Sequence, residues 1–124
     1  MKSALDMAAW DLFARIAAQP LANILGSRTS TSAPLYRSIS QAAPDVMANQ
    51  ARGFVDAGYR RLQVKVGGES KEDVERLVAV RACVPPDVIL YADANGAWFL
   101  DEAMRFVDAT RNQDYYLEQP CISL

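Results

Sequence analysis

Apolar residues recur at Leu5, Ala8, Ala9, Leu12, Phe13, Ile16 and Ala17, the spacing that lines one face of a helix. The pattern predicts an amphipathic helix from Ser3 to Leu25, broken or turned near Pro20 and stopped at Gly26. Within it Trp10 beside Asp11 reads as a buried aromatic next to a surface charge, with a domain contact as the other reading. Ser27 to Ala33 is polar and short of bulky apolar side chains, as in a linker. From there strand-like alternation takes turns with helical spacing. Leu35 to Ser40 places Leu35 and Ile39 on one face and Tyr36, Ser38 and Ser40 on the other, a strand with one polar side. Pro44 suits the first turn of a helix with the face Val46, Met47, Gln50, Ala51, Phe54 and Val55, ended by Gly58. A second strand runs from Arg61 to Val66. Ser70 and Asp73 then resemble a capping box for a helix carrying Val74, Leu77, Val78 and Val84, stopped by Pro85-Pro86. A strand over Val88 to Asp93, a helix from about Phe99 to Thr110 and a strand over Tyr115 to Glu118 complete the pattern.

Strands alternating with helices of this length form a parallel sheet with right-handed crossovers. An open doubly wound sheet and half of a barrel both fit that alternation. Polar parity separates them. Tyr36, Ser38, Ser40, Gln63, Lys65, Tyr91, Asp93, Asp114, Tyr116 and Glu118 all fall on one side of the strands. A sheet covered by helices on both faces seldom tolerates that, whereas a barrel lumen opening on an active site demands it. The expected fold is α/β, about the first four strands of a (β/α)8 TIM barrel, with residues 28–124 forming that half and residues 1–27 a preceding helix and linker.

Composition narrows the function classes. With 51% hydrophobic and 23% charged residues the chain is that of a soluble globular domain, and a net charge of -2 offers no basic surface for nucleic acid. Asp6, Asp11 and Arg15 interrupt any apolar signal core, and no run approaches the roughly 18 apolar residues of a membrane span. A cytoplasmic location without a membrane partner is expected. Cys83 and Cys121 lie far apart without a metal-binding spacing and are expected as reduced thiols. The absence of histidine removes imidazole from every triad or metal site this chain could build alone.

Carboxylates and amines remain. Asp93 stands where the apolar run Val88-Ile89-Leu90-Tyr91 gives way to a loop, with Lys65 28 positions upstream and Glu118 25 positions downstream. Each gap fits one strand-plus-helix unit. Three successive parallel strands would deliver Lys65, Asp93 and Glu118 to one sheet edge, setting two hard oxygen ligands for a divalent metal beside an amine able to act as a base. Each residue also has a plainer role. A strand-end acid often caps the next helix, a strand-end lysine is often a solvated charge, and Trp98 reads as helix-to-sheet packing rather than a substrate platform.

The helix string Ala8-x-x-Asp11-Leu12, the strand ends Gln63-Val64-Lys65-Val66-Gly67 and Asp93-Ala94-Asn95, and Glu118-Gln119-Pro120 together resemble the mandelate racemase/muconate lactonizing branch of the enolase superfamily. The likeness covers nearly the whole chain. It implies a (β/α)8 barrel with Asp93 and Glu118 as the first two Mg2+ ligands, Lys65 as the acid/base on one substrate face and Asn95 in contact with substrate. Gln63, Ser38 and Ser40 are the further substrate-binding candidates. The implied reaction abstracts a proton α to a carboxylate, as racemases, epimerases, dehydratases and cycloisomerases do. A metal that stabilises the resulting charge is how such weak acids are ionised.

Three departures qualify the resemblance. The family commonly has Lys-x-Lys where this chain has Gln63-Val64-Lys65, so one cation that would meet the substrate carboxylate is missing. A neutral residue there favours a substrate carrying its own positive charge, an amino or imino acid. The strings Gln-x-Lys-x-Gly-Gly and Tyr-Leu-Glu-Gln-Pro-Cys resemble the hydroxyproline dehydratase and proline-betaine epimerase group. A third acidic ligand and an opposing acid/base are expected beyond Leu124, and only the last helix of the family's capping domain is expected at the start. The chain is therefore expected to be a fragment, inactive alone, binding Mg2+ weakly or not at all. It is expected to self-associate through open strand edges, with a homo-oligomer for the complete protein. The competing readings are a non-catalytic or complementing half-barrel module and a phosphoreceiver-like domain, although the latter needs its lysine after the acceptor aspartate and Lys65 precedes Asp93.

Overall fold

The computed structural model describes residues 2–26 and 32–122, so most of the expected linker lies outside the described residues. The chain forms two compact units, Met1–Ala33 and Pro34–Leu124. In the first, α1 (Lys2–Ile16) and α2 (Leu21–Ile24) divide the helical stretch at the break expected near Pro20. The break comes where Ala18 takes a left-handed φ of 49° ahead of Pro20, which has no amide hydrogen to donate to a continuing helix. Trp10 departs from the buried aromatic expected. It is 38% exposed and meets Phe13 edge-on, with ring centroids 6.3 Å apart. Leu5, Leu12 and Ile16 are also exposed on α1.

The second unit alternates β1 (Arg37–Ile39), α3 (Pro44–Asp56), β2 (Arg61–Lys65), α4 (Ser70–Cys83), β3 (Ile89–Asp93), α5 (Leu100–Ala109) and β4 (Tyr116–Glu118). All strand pairs are parallel and the order is β1-β2-β3-β4. A doubly wound sheet reverses its strand order at a switch point; this sheet does not, so it is an arc of a singly wound barrel. The receiver-like alternative needs the reversal and loses its footing.

One sheet face is apolar. Ile39, Val64, Ala92 and Leu117 share one register row, Leu62 and Leu90 the next, and they pack with Met47, Ala51, Leu77, Val80 and Phe106 into one core. Pro44 begins α3, where the missing N–H costs no intrahelical bond. Gly58, at φ 95°, ends it: its N–H donates to Val55 O and that of Tyr59 to Phe54 O, the paired bonds of a Schellman cap. Trp98 packs against Phe106 at 4.7 Å between ring centroids, as a helix-to-sheet contact should.

Local assignments shift at the margins. Leu35 lies outside β1 and is exposed, and Val46 and Val78 are exposed on their helices. The Ser70/Asp73 capping box does not form. Glu69 holds the N-cap position without a side-chain cap, because the Asp73 carboxylate reaches past the helix start to the Gly67–Gly68 turn.

Candidate functional site

The register of the sheet places the chemistry. Lys65, Asp93 and Glu118 end β2, β3 and β4 and lie opposite one another in a single row. One residue pair deeper, Ser38, Gln63, Tyr91 and Tyr116 form the next row on the same face. Adjacent parallel strands lie about 4.8 Å apart, so residues in one row can meet on one small ion or ligand.

Contacts follow from that placement. Lys65 Nζ donates to Asp93 Oδ2 at 2.6 Å and to Asn95 Oδ1 at 2.9 Å. Gln63 Nε2 donates to Asp93 Oδ2 at 2.9 Å and to Glu118 Oε2 at 3.1 Å. Asp93 Oδ1 accepts the N–H of Asn95 at 2.9 Å, a local turn that holds Asn95 at φ 50°. Asp93 is thus a buried carboxylate, 1% exposed, with donors on both oxygens. Burying that charge is tolerable because the half-buried Lys65 ammonium balances it.

Five sequence candidates therefore converge: Lys65, Asp93, Glu118, Gln63 and Asn95. Ser38 and Ser40 do not join them by hydrogen bonding among the described residues; Ser38 lies in the deeper row and Ser40 just past the end of β1. The Gln63 amide bridges the two carboxylates. Tyr36 and Tyr91, on the polar side of their strands but not among the site candidates, line a cavity of about 130 Å3 with Gln63 and Glu118. Tyr91 stacks on Tyr116 with ring centroids 5.4 Å apart. Strand parity was the signal available for these rings.

The donor chemistry suits a hard divalent cation. Asp93 Oδ2 and Glu118 Oε2 both lie within hydrogen-bonding reach of one nitrogen, Gln63 Nε2, so two hard carboxylate oxygens face the same point. Asn95 Oδ1 stands near as a neutral oxygen, tied to the same lysine as Asp93. The set is partial. Among the described residues no group of three or more His, Cys, Asp or Glu is placed to hold a metal ion. None of their helices is long and apolar enough to cross a membrane.

Comparison with known proteins bears on the family and the fold. Residues 46–123 match the family model described as enolase C-terminal domain-like. A cis-3-hydroxy-L-proline dehydratase of Roseibium aggregatum is 41% identical over 98% of this chain and 33% of its own length. An N-succinyl-L-Arg/Lys racemase of Bacillus cereus is 32% identical over 98% of the chain and 34% of its own. The chain thus spans about a third of the length of these curated relatives. Among solved structures, a dipeptide epimerase of Enterococcus faecalis, complexed with Mg and the dipeptide L-Leu-L-Tyr, superposes with a TM-score of 0.86 at 32% identity, over 94% of this chain and 33% of that one.

Proposed function

The chain belongs to the enolase superfamily, in its mandelate racemase/muconate lactonizing enzyme branch, and from that premise we propose that it carries one wall of a Mg2+-dependent site that removes the proton α to a small substrate's carboxylate. The observation that carries the proposal is the single register row of Lys65, Asp93 and Glu118, with Lys65 Nζ already directed at Asp93. Relatives named as a dehydratase, a racemase and an epimerase support the reaction class.

The residues divide the work by their chemistry. Asp93 and Glu118 would hold the ion, as hard oxygen ligands of opposite charge. When bound, Mg2+ supplies the positive charge that stabilises the electron pair moving toward the substrate carboxylate. Lys65, whose Nζ stands 2.6 Å from Asp93 Oδ2, would take the α proton or return it. Asn95 Oδ1 remains as a second anchor that keeps Nζ in line, and Asn95, just past the end of β3, and Gln63, in the deeper row, face the substrate. Ser38, in the deeper row on β1, is a further candidate contact, with Ser40 just past the end of that strand.

Neutral Gln63 between two acids leaves the wall poor in positive charge, which favours a substrate that brings its own, an amino or imino acid. The dehydratase similarity points the same way, toward a proline-like ring. We assign residues 1–27 to the end of a capping domain and residues 28–124 to the barrel half. Turnover then belongs to a protein of the relatives' length, and the 124-residue chain alone is inactive.

The test is a chimera in which this chain replaces the 122 residues it matches in the R. aggregatum dehydratase. Mg2+-dependent exchange of the Cα proton of cis-3-hydroxy-L-proline into deuterated solvent should persist. It should fall about 100-fold or more in Lys65→Ala, the usual range for removing a general base. A folded chimera whose exchange is indifferent to Lys65→Ala overturns the proposal.

A further inference from the structure

Asp73 is fully buried, yet it lies on α4 rather than on a strand end and belongs to none of the roles above. Its Oδ2 accepts the backbone N–H groups of Gly67 at 2.9 Å and Gly68 at 2.8 Å, and its Oδ1 pairs with Arg76 at 2.7 Å. Successive N–H groups converging in this way make a nest of the kind that elsewhere binds phosphate. Here an internal carboxylate fills it, so the turn is a clamp and not an anion site.

The clamped turn begins two residues after Lys65. Its other restraints converge on the same place: Val66 N–H donates to Asp93 O, Trp98 Nε1 donates to Gly68 O at 3.1 Å, and Gly67 has a φ of 106°. A Cβ on Gly67 would lie 2.7 Å from Ala94 O, so the backbone beyond Lys65 presses directly on the backbone beyond Asp93. Arg76 carries the hold outward, its Nε donating to Ala42 O in the β1–α3 loop at 3.0 Å. One buried ion pair thereby ties the rim segments that follow β1 and β2, while Trp98 adds the one that follows β3.

We propose that Asp73, oriented by Arg76, is a positioning residue for Lys65: its carboxylate fixes the Gly67–Gly68 turn and, through it, the strand end from which the lysine meets Asp93 and Asn95. The inference rests on the proposed role of Lys65 as acid/base, and it extends that role to a residue in contact with neither metal ligand nor substrate. Rigid support of this sort matters because a displacement of about 1 Å at a reacting group can cost about 100-fold in rate.

Two measurements separate the clamp from the catalytic reading. In the 124-residue chain, amide exchange and the Lys65 side-chain resonances are followed by NMR in Asp73→Ala and Asp73→Asn. The clamp requires Gly67 and Gly68 amides to exchange at least tenfold faster in Asp73→Ala, the Lys65 signals to shift, and Leu90 and Ala92 in β3 to stay protected. Asp73→Asn keeps an acceptor for the glycines but loses the ion pair, and should fall between; it also serves if the alanine variant fails to fold. In the chimera, Asp73→Ala should lower kcat about 100-fold with KM changed less than about threefold, and Asp73→Asn should recover part of it. Lost thermal stability with unmoved Lys65 signals, or a raised KM at unchanged kcat, overturns the proposal. A chimera inactive before any Asp73 substitution counts against the proposed function alone, and the NMR result then decides the clamp.

Discussion

At the scale of single residues, two glycines with left-handed backbones make a useful contrast. Gly58 faces open space and Gly67 faces Ala94 O. Gly58→Ala carries only the left-handed penalty, about 1–2 kcal/mol. Gly67→Ala adds steric conflict and should cost about 2–5 kcal/mol in urea denaturation. Equal losses would mean that the approach to Ala94 relaxes freely. Burial raises the pKa of the Cys83 thiol, whose Sγ lies 3.1 Å from both Ala48 O and Val80 O, either of which can accept its one proton. Cys83 should therefore be alkylated by iodoacetamide at pH 8 more slowly than in the urea-unfolded chain, by tenfold or more. The folded state keeps this proton where the unfolded chain sheds it. Its contribution to stability is thus complete below the ordinary thiol value and is lost as pH climbs through the raised one. Comparing the urea midpoint of wild type and Cys83→Ala at pH 7 and pH 10 should show the gap narrowing at the higher pH.

At the scale of elements, α5 is held by few but large contacts. Phe106 is fully buried, packs on Trp98 and meets Tyr115 edge-on, while Thr110 Oγ1 bonds Phe106 O at 2.7 Å and Tyr115 OH at 2.6 Å. Phe106→Ala should cost about 3–5 kcal/mol by urea denaturation, the range for truncating a buried aromatic. Because Trp98 also holds Gly68 O, the same variant should speed amide exchange in the rim turn. A loss under about 1 kcal/mol would show that α5 is only loosely seated. The helices were legible because their apolar spacing and Pro or Gly punctuation were strong. α4 is the instructive exception: Ser70 and Asp73 have the spacing of a cap, but two glycine amides upstream compete for the same carboxylate and win it.

At the scale of the whole second unit, β1 and β4 are each paired on one side only among the described residues. Their unpaired backbone groups, beside exposed Tyr36 and Tyr116, form edges of the kind that invite strand addition. Sedimentation velocity on the 124-residue chain should show concentration-dependent association, reduced by Leu117→Pro, which removes a ladder donor in β4. A monomer at all concentrations would show that the edges are blunted. The polar face that gives the unit its chemistry is one wall of a lumen, so its charges are arranged for groups that would face it from across a barrel.

The sequence by itself determined the alternation of strands and helices, the single polar parity and the separate identities of Lys65, Asp93 and Glu118. Those are local properties, written in periodicity and in residue type at strand ends. Strand order and register were decided only in three dimensions, because pairing depends on which strands share a core and not on any one segment. Tertiary structure likewise turned Gln63 into a bridge between two carboxylates and Asp73 into a clamp. Each depends on a donor brought close by the fold, and a polar side chain in sequence does not state which of several donors it will meet.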